Sequence, residues 1–212
     1  LSSCKQWTNH DIFGGTIYPV WPSNIKMPKW VSSKIIQEMV FAVHKYADKQ
    51  MVYCKSHYPF SGNFWLRRKL IEEGRRFDST IEWHPKNRIC ATETAFFKSL
   101  TEAGYEIVYC PEVIIGHKIT DEQLTVKNLF KRAYSCGRGI AHIRTFCGNE
   151  ILTKNPTLWY LIRYAAISKS CLKFANAILP LAFDKPEAAM YAMQWLGFNM
   201  ELINMAKNKP ML

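Results

Sequence analysis

Two side chains able to do acid–base or metal chemistry stand at the two ends of one helix–strand unit. Glu93 opens an apolar helical pattern that follows Thr92, and His117 ends a β-branched run over Val113 to Ile115. A carboxylate at a helix N-terminus can act as a general base toward a hydroxyl group, and neutral imidazole binds divalent cations. Both residues also have simpler uses, because a helix dipole stabilises any acid there and a single histidine is usually structural.

Basic residues form two further candidate groups. Gly62 and Asn63 precede Arg67, and glycine allows backbone to approach a ligand closely while arginine can contact phosphate. The same stretch is compatible with an ordinary turn and a solvated basic face. In KRAYSCGRG, Arg132 and Arg138 are spaced six positions apart, which places them on nearly opposite sides of an ideal helix. They serve one site only if the glycines between 137 and 139 bend the chain, and otherwise they are surface arginines.

Cysteine usage does not indicate a metal site. The chain has seven cysteines, an odd number, with no C-x-x-C pair and no zinc-type spacing. Cys54 and His57 have the residue types of a metal site or a catalytic thiol, but nothing else in the sequence supports either interpretation. We therefore expect reduced thiols in a cytosolic setting, most of them buried as small apolar residues.

The elements that position these residues alternate between strand and helix, which predicts α/β architecture. Up to residue 74 we expect a strand within 12–22, a helix from Trp30 to about Asp48, a strand around 51–54, extended residues 64–66 and a short helix over 67–73 closed by Gly74. A helix over 93–103 follows, with Thr92 as N-cap and Gly104 at its end, and then a strand over 105–110 that Pro111 breaks and that is extended again over 113–115. The last expected element of this part is a helix over 124–146, in which the glycines allow a break.

The last sixty or so residues predict a helical hairpin. Asn155 and Pro156 have the types of an N-cap and a first helical residue, and Asp184 with Glu187 has capping-box spacing. The first helix is expected to end near Pro180 and the second near Lys207. The apolar stretch 158–183 is interrupted by three basic residues, which is unfavourable for a membrane-spanning helix.

Composition favours a folded protein with an anionic partner. The chain has 212 residues, 48% of them hydrophobic and 21% charged, so a packed core is expected and disorder is not. The net charge of +11 suggests nucleic acid, a phosphorylated small molecule or an acidic membrane surface. A basic surface without any specific partner is the simpler alternative.

Four motifs occur in an order that resembles the C-terminal half of family-2 glycosyltransferases, over about residues 12–146. They are GGTIYPVWP, SGNFWLRRKLIEEGRRFD, TETAFFKSLTEAGYEIVYCPEVIIGH and KRAYSCGRG. The family's Gly-Glu-Asp-x-x-Leu phrase places its Asp on Glu93, whereas its Glu falls on Thr92, which is a departure. The family's Gly-Gly-Asn-x-x-x-Arg-Arg turn is similar to Ser61–Asn63 with Arg67 and Arg68.

The resemblance implies a fold and a domain plan. The fold class is α/β, the C-terminal portion of a GT-A (Rossmann-like) glycosyltransferase domain followed by a helical hairpin. Residues 1–122 would be the catalytic half-domain, 123–150 a basic helical segment flanking the active site, and 151–212 an amphipathic hairpin able to associate with a membrane. The family's nucleotide-binding half and its Asp-x-Asp motif would precede residue 1. We therefore expect a fragment that alone neither binds the donor tightly nor catalyses.

The resemblance also implies roles for individual residues. Glu93 would be the catalytic base of an inverting transfer, and His117 would help to hold a divalent cation, Mg²⁺ or Mn²⁺, on the diphosphate. Donor or acceptor contacts would come from Gly62, Asn63, Arg67, Arg132, Tyr134 and Arg138. The implied partners are a nucleotide-sugar donor, a glycan or lipid-linked acceptor and an anionic membrane surface, with the protein at the cytoplasmic face of a membrane.

Two other classes of function remain open on the sequence. Arginines beside aromatic residues, as in the stretch FWLRR, are compatible with a nucleic-acid-binding module, although the dispersed arginines make nucleic acid the less favoured partner. The basic, aromatic-rich C-terminal helices are compatible with a membrane-surface interaction protein without catalysis, or with helices that simply pack on the domain.

Overall fold

The computed structural model describes residues 5–79, 81, 89–90, 92–146, 156–178 and 186–207. These residues divide between two compact units. The first unit comprises Leu1–Lys26, Phe41–Thr80 and Thr92–Thr120, and the second comprises Met27–Val40, Ile81–Ala91 and Asp121–Leu212.

The described residues form four strands and six α-helices. The strands are β1 (Ile12–Val20), β2 (Met51–Val52), β3 (Phe64–Leu66) and β4 (Ile107–Lys118). The helices are α1 (Lys34–Phe41), α2 (Arg68–Glu72), α3 (Thr92–Glu102), α4 (Val126–Phe146), α5 (Pro156–Ile178) and α6 (Pro186–Lys207), with short 3-10 turns at Lys29–Ser32 and Asp121–Leu124.

The first unit is built on one mixed sheet with the strand order β2-β4-β1-β3. The two central strands, β1 and β4, run parallel, and each outer strand is antiparallel to its neighbour. Helix α3 packs on this sheet through Phe96, Phe97 and Leu100, which share one core with Ile12 and Tyr109. The predicted α/β class is therefore confirmed.

Strand β4 is continuous, so the predicted break at Pro111 is wrong. The register shifts instead: Gly15 of β1 pairs with Cys110, and the next residue, Thr16, pairs with Ile114. The residues in between leave the regular ladder while the strand continues. Proline has no N–H to donate, so it is well placed at such an irregularity.

Asn63 closes the gap that this register shift leaves. Its buried side-chain amide donates to the backbone carbonyls of Thr16 (2.9 Å) and Val113 (2.8 Å). The backbone carbonyl of Asn63 accepts from the N–H of Gly15 (3.0 Å). The hydroxyl of Thr16 donates to the carbonyl of Pro111 at 3.1 Å. Side chains thus satisfy backbone groups that regular pairing leaves open, as buried polar groups require.

Local start and stop signals are accurate where the structure describes them. Gly74 and Gly104 follow helices with φ of +82° and +91°, the left-handed conformation expected at a helix C-terminus. Helices α5 and α6 begin at Pro156 and Pro186, and α6 ends at Lys207, close to the expected positions. The predicted caps Asn155 and Asp184 lie outside the described residues.

The helix predicted from Trp30 to about Asp48 is much shorter in the structure. A 3-10 turn occupies Lys29–Ser32, and α1 ends at Phe41. Ala42 has φ of +55°, which no residue inside a right-handed helix adopts. His44 then exchanges two backbone hydrogen bonds with Ile17 of β1, at 2.8 and 3.0 Å. Pairing with the sheet therefore overrides the helical apolar pattern.

The break that the glycines at 137 and 139 allow does not occur, because α4 is unbroken from Val126 to Phe146. In the second unit, Gly137 and Gly197 let α4 and α6 approach closely. A Cβ on Gly137 would lie 1.8 Å from the carbonyl oxygen of Gln194, and one on Gly197 would lie 2.1 Å from that of Tyr134. The glycines thus serve helix packing. No described helix is long and apolar enough to cross a membrane.

Replacement of Asn63 with alanine should destabilise the first unit by about 3 kcal/mol, because two carbonyls of the central strands lose their buried donor. Urea unfolding followed by tryptophan fluorescence would measure this loss. Gly62→Ala is the matched control: its Cβ would meet only the side-chain tips of Ile17 and Ile115, at 3.2 and 3.5 Å. Equal unfolding midpoints for Asn63→Ala and wild type would contradict the bridging role.

Candidate functional site

Glu93 lies in the first turn of α3 and is half-buried. Thr92 is the first residue of the helix, whereas the prediction placed it at the N-cap, the position before the first helical residue. The backbone N–H groups at a helix start favour a charged carboxylate there. The half-buried side chain also keeps an exposed side that a ligand can approach.

His117 is half-buried near the end of β4, where it pairs with Pro19 of β1. Its Nδ1 lies 2.6 Å from the carbonyl oxygen of Phe41, so Nδ1 carries the proton and donates it. In this tautomer Nε2 holds a lone pair. Metal-ligating histidines commonly have such a bond, in which the second ring nitrogen donates to a carbonyl.

The register shift shortens the distance that β4 covers along the sheet. Strand β4 takes ten residue steps, from Ile107 to His117, to advance as far as β1 does in seven, from Ile12 to Pro19. That advance is about 23 Å, and it places His117 beside Pro19.

A metal at His117 would need ligands beyond those now described. Among the described residues, no group of three or more His, Cys, Asp or Glu side chains could hold a metal ion.

Two of the residues predicted to contact donor or acceptor, Asn63 and Arg67, have structural roles in the first unit. Gly62 is exposed, and Asn63 bridges the central strands as described above. The guanidinium of Arg67 donates to the carbonyls of His10 (2.7 Å) and Trp7 (3.2 Å) and lies 3.5 Å from the carboxylate of Asp11. Arg67 therefore fastens the segment before β1.

The other predicted contacts, Arg132, Tyr134 and Arg138, lie on α4 in the second unit. Because α4 is straight, the two arginines have different surroundings. Arg132 donates to the sulfur of Cys90 at 3.2 Å and approaches the carbonyl of Met39 at 3.5 Å. Tyr134 is half-buried, and burial raises the pKa of its hydroxyl above the ordinary value.

Arg138 belongs to a buried charge network between α4 and α6. Its Nε donates to one carboxylate oxygen of Glu201 at 2.6 Å, and His142 Nε2 contacts the other at 2.8 Å. Burial alone would raise the pKa of Glu201, but the hydrogen bonds from His142 and Arg138 outweigh it and lower the pKa to about 2. Sequence reasoning missed Glu201, because its partners lie about sixty positions away.

The sequence also gave no indication of an aromatic cluster beside β1 and β4. It consists of His44, Tyr46, Tyr53 and Tyr109, whose rings lie 4.5–5.8 Å apart. Burial, followed by the charge of His57, lowers the pKa of His44 to about 4, so its ring is neutral near pH 7. Burial raises the pKa of Tyr53, whose hydroxyl forms a hydrogen bond with His44 Nε2 at 2.8 Å.

No protein-family model matches this chain, and no match was found among curated proteins or solved structures. The described fold and side chains therefore define an α/β protein that carries a half-buried acid and a tautomer-fixed histidine on consecutive elements. Any assignment of activity rests on the chemistry of these groups and on the resemblance of the motifs.

Replacement of Glu201 with glutamine should cost about 3 kcal/mol at neutral pH, because Arg138 loses its buried counter-charge. The folded-state pKa of about 2 lies below the ordinary 4.5. The stability that ionised Glu201 contributes is therefore complete above pH 4.5 and lost as pH falls toward 2. Urea unfolding at several pH values should show wild type and variant converging in that range.

The control for this series is Glu102→Gln, which removes an exposed carboxylate paired with Lys98 at 2.9 Å. Exposed pairs contribute little to stability, so this variant should follow the wild-type pH curve. A constant difference between wild type and Glu201→Gln from pH 7 to pH 2 would contradict the role of the ionised carboxylate.

Proposed function

We propose that the chain is part of an inverting glycosyltransferase that transfers a sugar from a nucleotide diphosphate to an acceptor hydroxyl. The proposal is carried by two half-buried side chains, Glu93 and His117, and by the bond from His117 Nδ1 to the Phe41 carbonyl, which leaves the Nε2 lone pair available. They come from consecutive elements of one unit, and the ordered motifs of the resemblance join them. The GT-A form of the α/β fold is part of the same proposal.

In this proposal Glu93 is the general base. Its carboxylate takes the proton from the acceptor hydroxyl as the hydroxyl oxygen attacks the anomeric carbon of the donor sugar. The bond from that carbon to the diphosphate oxygen breaks in the same displacement, and the configuration inverts. The helix start directs backbone N–H groups toward this carboxylate, an arrangement that favours negative charge there.

His117 would supply one ligand to Mg²⁺ or Mn²⁺, through its Nε2. When bound, a divalent cation neutralises the negative charge that develops on a diphosphate leaving group. The residue fits this role because its Nδ1 proton is held by the Phe41 carbonyl at 2.6 Å, which orients the ring.

An anionic membrane face is the proposed location. Helix α5 exposes Leu161 (61%) and Leu172 (63%) together with Tyr164, and it also carries Lys169 and Lys173. Exposed apolar side chains beside lysines are suited to the interface of an anionic bilayer. The membrane-surface alternative without catalysis rests on the same helix, so the activity of Glu93 distinguishes the two.

The nucleic-acid alternative has less support from the described side chains. Arg67 is engaged by the carbonyls of Trp7 and His10, and the exposed Arg68 forms an ion pair with Glu72 at 2.9 Å. These two arginines were the main candidates for phosphate contacts beside aromatic rings. The same bonds also occupy Arg67 as a contact to a nucleotide-sugar, so the preference for that partner rests on Glu93, His117 and the order of the motifs and not on the net charge of +11.

Replacement of Glu93 with glutamine should lower sugar transfer by about a hundredfold or more, since general-base catalysis contributes about 10²–10⁴-fold. Transfer would be measured with a panel of nucleotide-diphosphate sugars, using protein expressed from the natural reading frame that encodes this chain. Nucleotide binding, measured by calorimetry, should be unchanged. Glu93→Asp is the control, because it keeps the carboxylate and should retain part of the activity. Wild-type turnover in Glu93→Gln would remove Glu93 from the role of base.

Replacement of His117 with asparagine should separate metal binding from folding. The asparagine amide can still donate to the Phe41 carbonyl as Nδ1 does, but it has no group at the Nε2 position. We expect a thermal midpoint near wild type and about a tenfold rise in the Mn²⁺ concentration needed for half-maximal transfer. His117→Gln, which places an oxygen near Nε2, is the reciprocal control. An unchanged Mn²⁺ requirement in His117→Asn would show that the ring does not bind the metal.

A further inference from the structure

A cavity of about 600 Å³ lies in the first unit, away from Glu93 and His117. It is lined by residues 52–58 after β2, by the last turn of α3 and by residues 104–107 at the start of β4. Its volume is in the range of small-molecule sites. Because neither proposed catalytic residue lines it, any ligand it takes must be recognised by other side chains.

Cys54 and His57 form a close pair on the wall of this cavity. The sulfur of Cys54 lies 3.1 Å from His57 Nδ1, and the thiol side chain is exposed. The backbone holds the pair in place, because the N–H of Cys54 donates to the Tyr46 hydroxyl at 2.9 Å and the N–H of His57 donates to the Cys54 carbonyl at 3.1 Å. The imidazole is thus positioned to accept the thiol proton, which leaves the nucleophilic thiolate.

The chemistry of the pair favours a thiol site over a metal site. A structural zinc ion takes four ligands and a catalytic one takes three. Over the described stretches of the chain, no three His, Cys, Asp or Glu side chains form such a group. A thiol next to an imidazole, by contrast, needs no further protein ligand to react with a soft electrophile.

The charges around the cavity favour a ligand with carboxylates. Two acids on its wall already have hydrogen-bonding partners: Glu102 pairs with Lys98 at 2.9 Å, and Glu106 lies 3.1 Å from Nε2 of His10. Lys55, next to the reactive thiol, also lines the wall and is exposed. Its ammonium group can bind a carboxylate on a molecule that reaches Cys54.

We propose that Cys54 is a site of thiol–disulfide exchange with a low-molecular-weight, carboxylate-bearing disulfide seated in this cavity. His57 takes the proton of Cys54, and the thiolate attacks one sulfur of the disulfide. A new bond forms between Cys54 and that sulfur as the original disulfide bond breaks, and the departing thiolate receives the proton from His57. The disulfide is the oxidant, so the mixed disulfide forms without another reactant. This site does not depend on the sugar-transfer proposal.

The test uses oxidised glutathione as the probe and the whole chain as the protein. Mass spectrometry of digested samples would follow the gain of glutathione on each cysteine peptide with time. Cys171 is an internal control, because it is an exposed thiol on α5, a helix without histidine. We expect Cys54 to react about tenfold faster than Cys171, since exchange depends on the thiolate fraction and on access.

Two variants identify the groups responsible. His57→Asn keeps a hydrogen-bonding group beside the sulfur but cannot take up its proton, so Cys54 should fall to the rate of Cys171 and to its pH profile. Lys55→Gln should slow the reaction with oxidised glutathione severalfold but leave the reaction with neutral bis(2-hydroxyethyl) disulfide unchanged. The circular dichroism spectrum of each variant would verify its fold.

Equal rates for Cys54 and Cys171 in the wild-type protein would overturn the proposal. So would a Lys55→Gln variant that slows the charged and neutral disulfides alike, because the cavity would then not recognise carboxylates. If His57→Asn fails to fold, the wild-type comparison of the two cysteines and the two disulfides still decides the outcome.

Discussion

The first unit depends on how the parallel pair β1 and β4 passes its register shift. Parallel strands at the centre of a sheet have no solvent to satisfy backbone groups that fall out of register. Asn63 supplies the missing donors to Thr16 and Val113, and its carbonyl receives the N–H of Gly15. Asn63 therefore bridges the two central strands, β1 and β4, with which the outer strands β3 and β2 pair.

The same shift sets the position of His117. Without it, His117 would lie about 10 Å further along the strand, since each extra strand residue adds about 3.3 Å. With it, the imidazole comes level with Pro19 and reaches the Phe41 carbonyl, which fixes its tautomer. The position of this imidazole along the sheet is thus a product of the sheet irregularity.

The sequence predicted what local chemistry decides and missed what distant partners decide. Gly74, Gly104 and Pro156 mark helix ends and starts because their backbone preferences act within a turn. The residues around Pro111 predict a strand break, because the Asn63 side chain that bridges the register shift is 50 positions away from Val113. The structural hydrogen bonds of Asn63, Arg67 and Arg138 join residues 47 to 63 positions apart. Cys54 and His57 are close in sequence, but their residue types alone do not show that the sulfur and the imidazole are in contact.

The contact between α4 and α6 constrains how this protein can change. At Gly137 and Gly197 the atoms facing each missing side chain belong to the opposite backbone, at Gln194 and Tyr134. A larger residue at either glycine therefore cannot be accommodated by substituting a smaller side chain on the opposite helix. Such compensating substitutions are often tolerated where two side chains are in contact in a core. Suppressor mutations for such a change would have to move a whole helix, so these two positions should vary far less than the exposed residues around them.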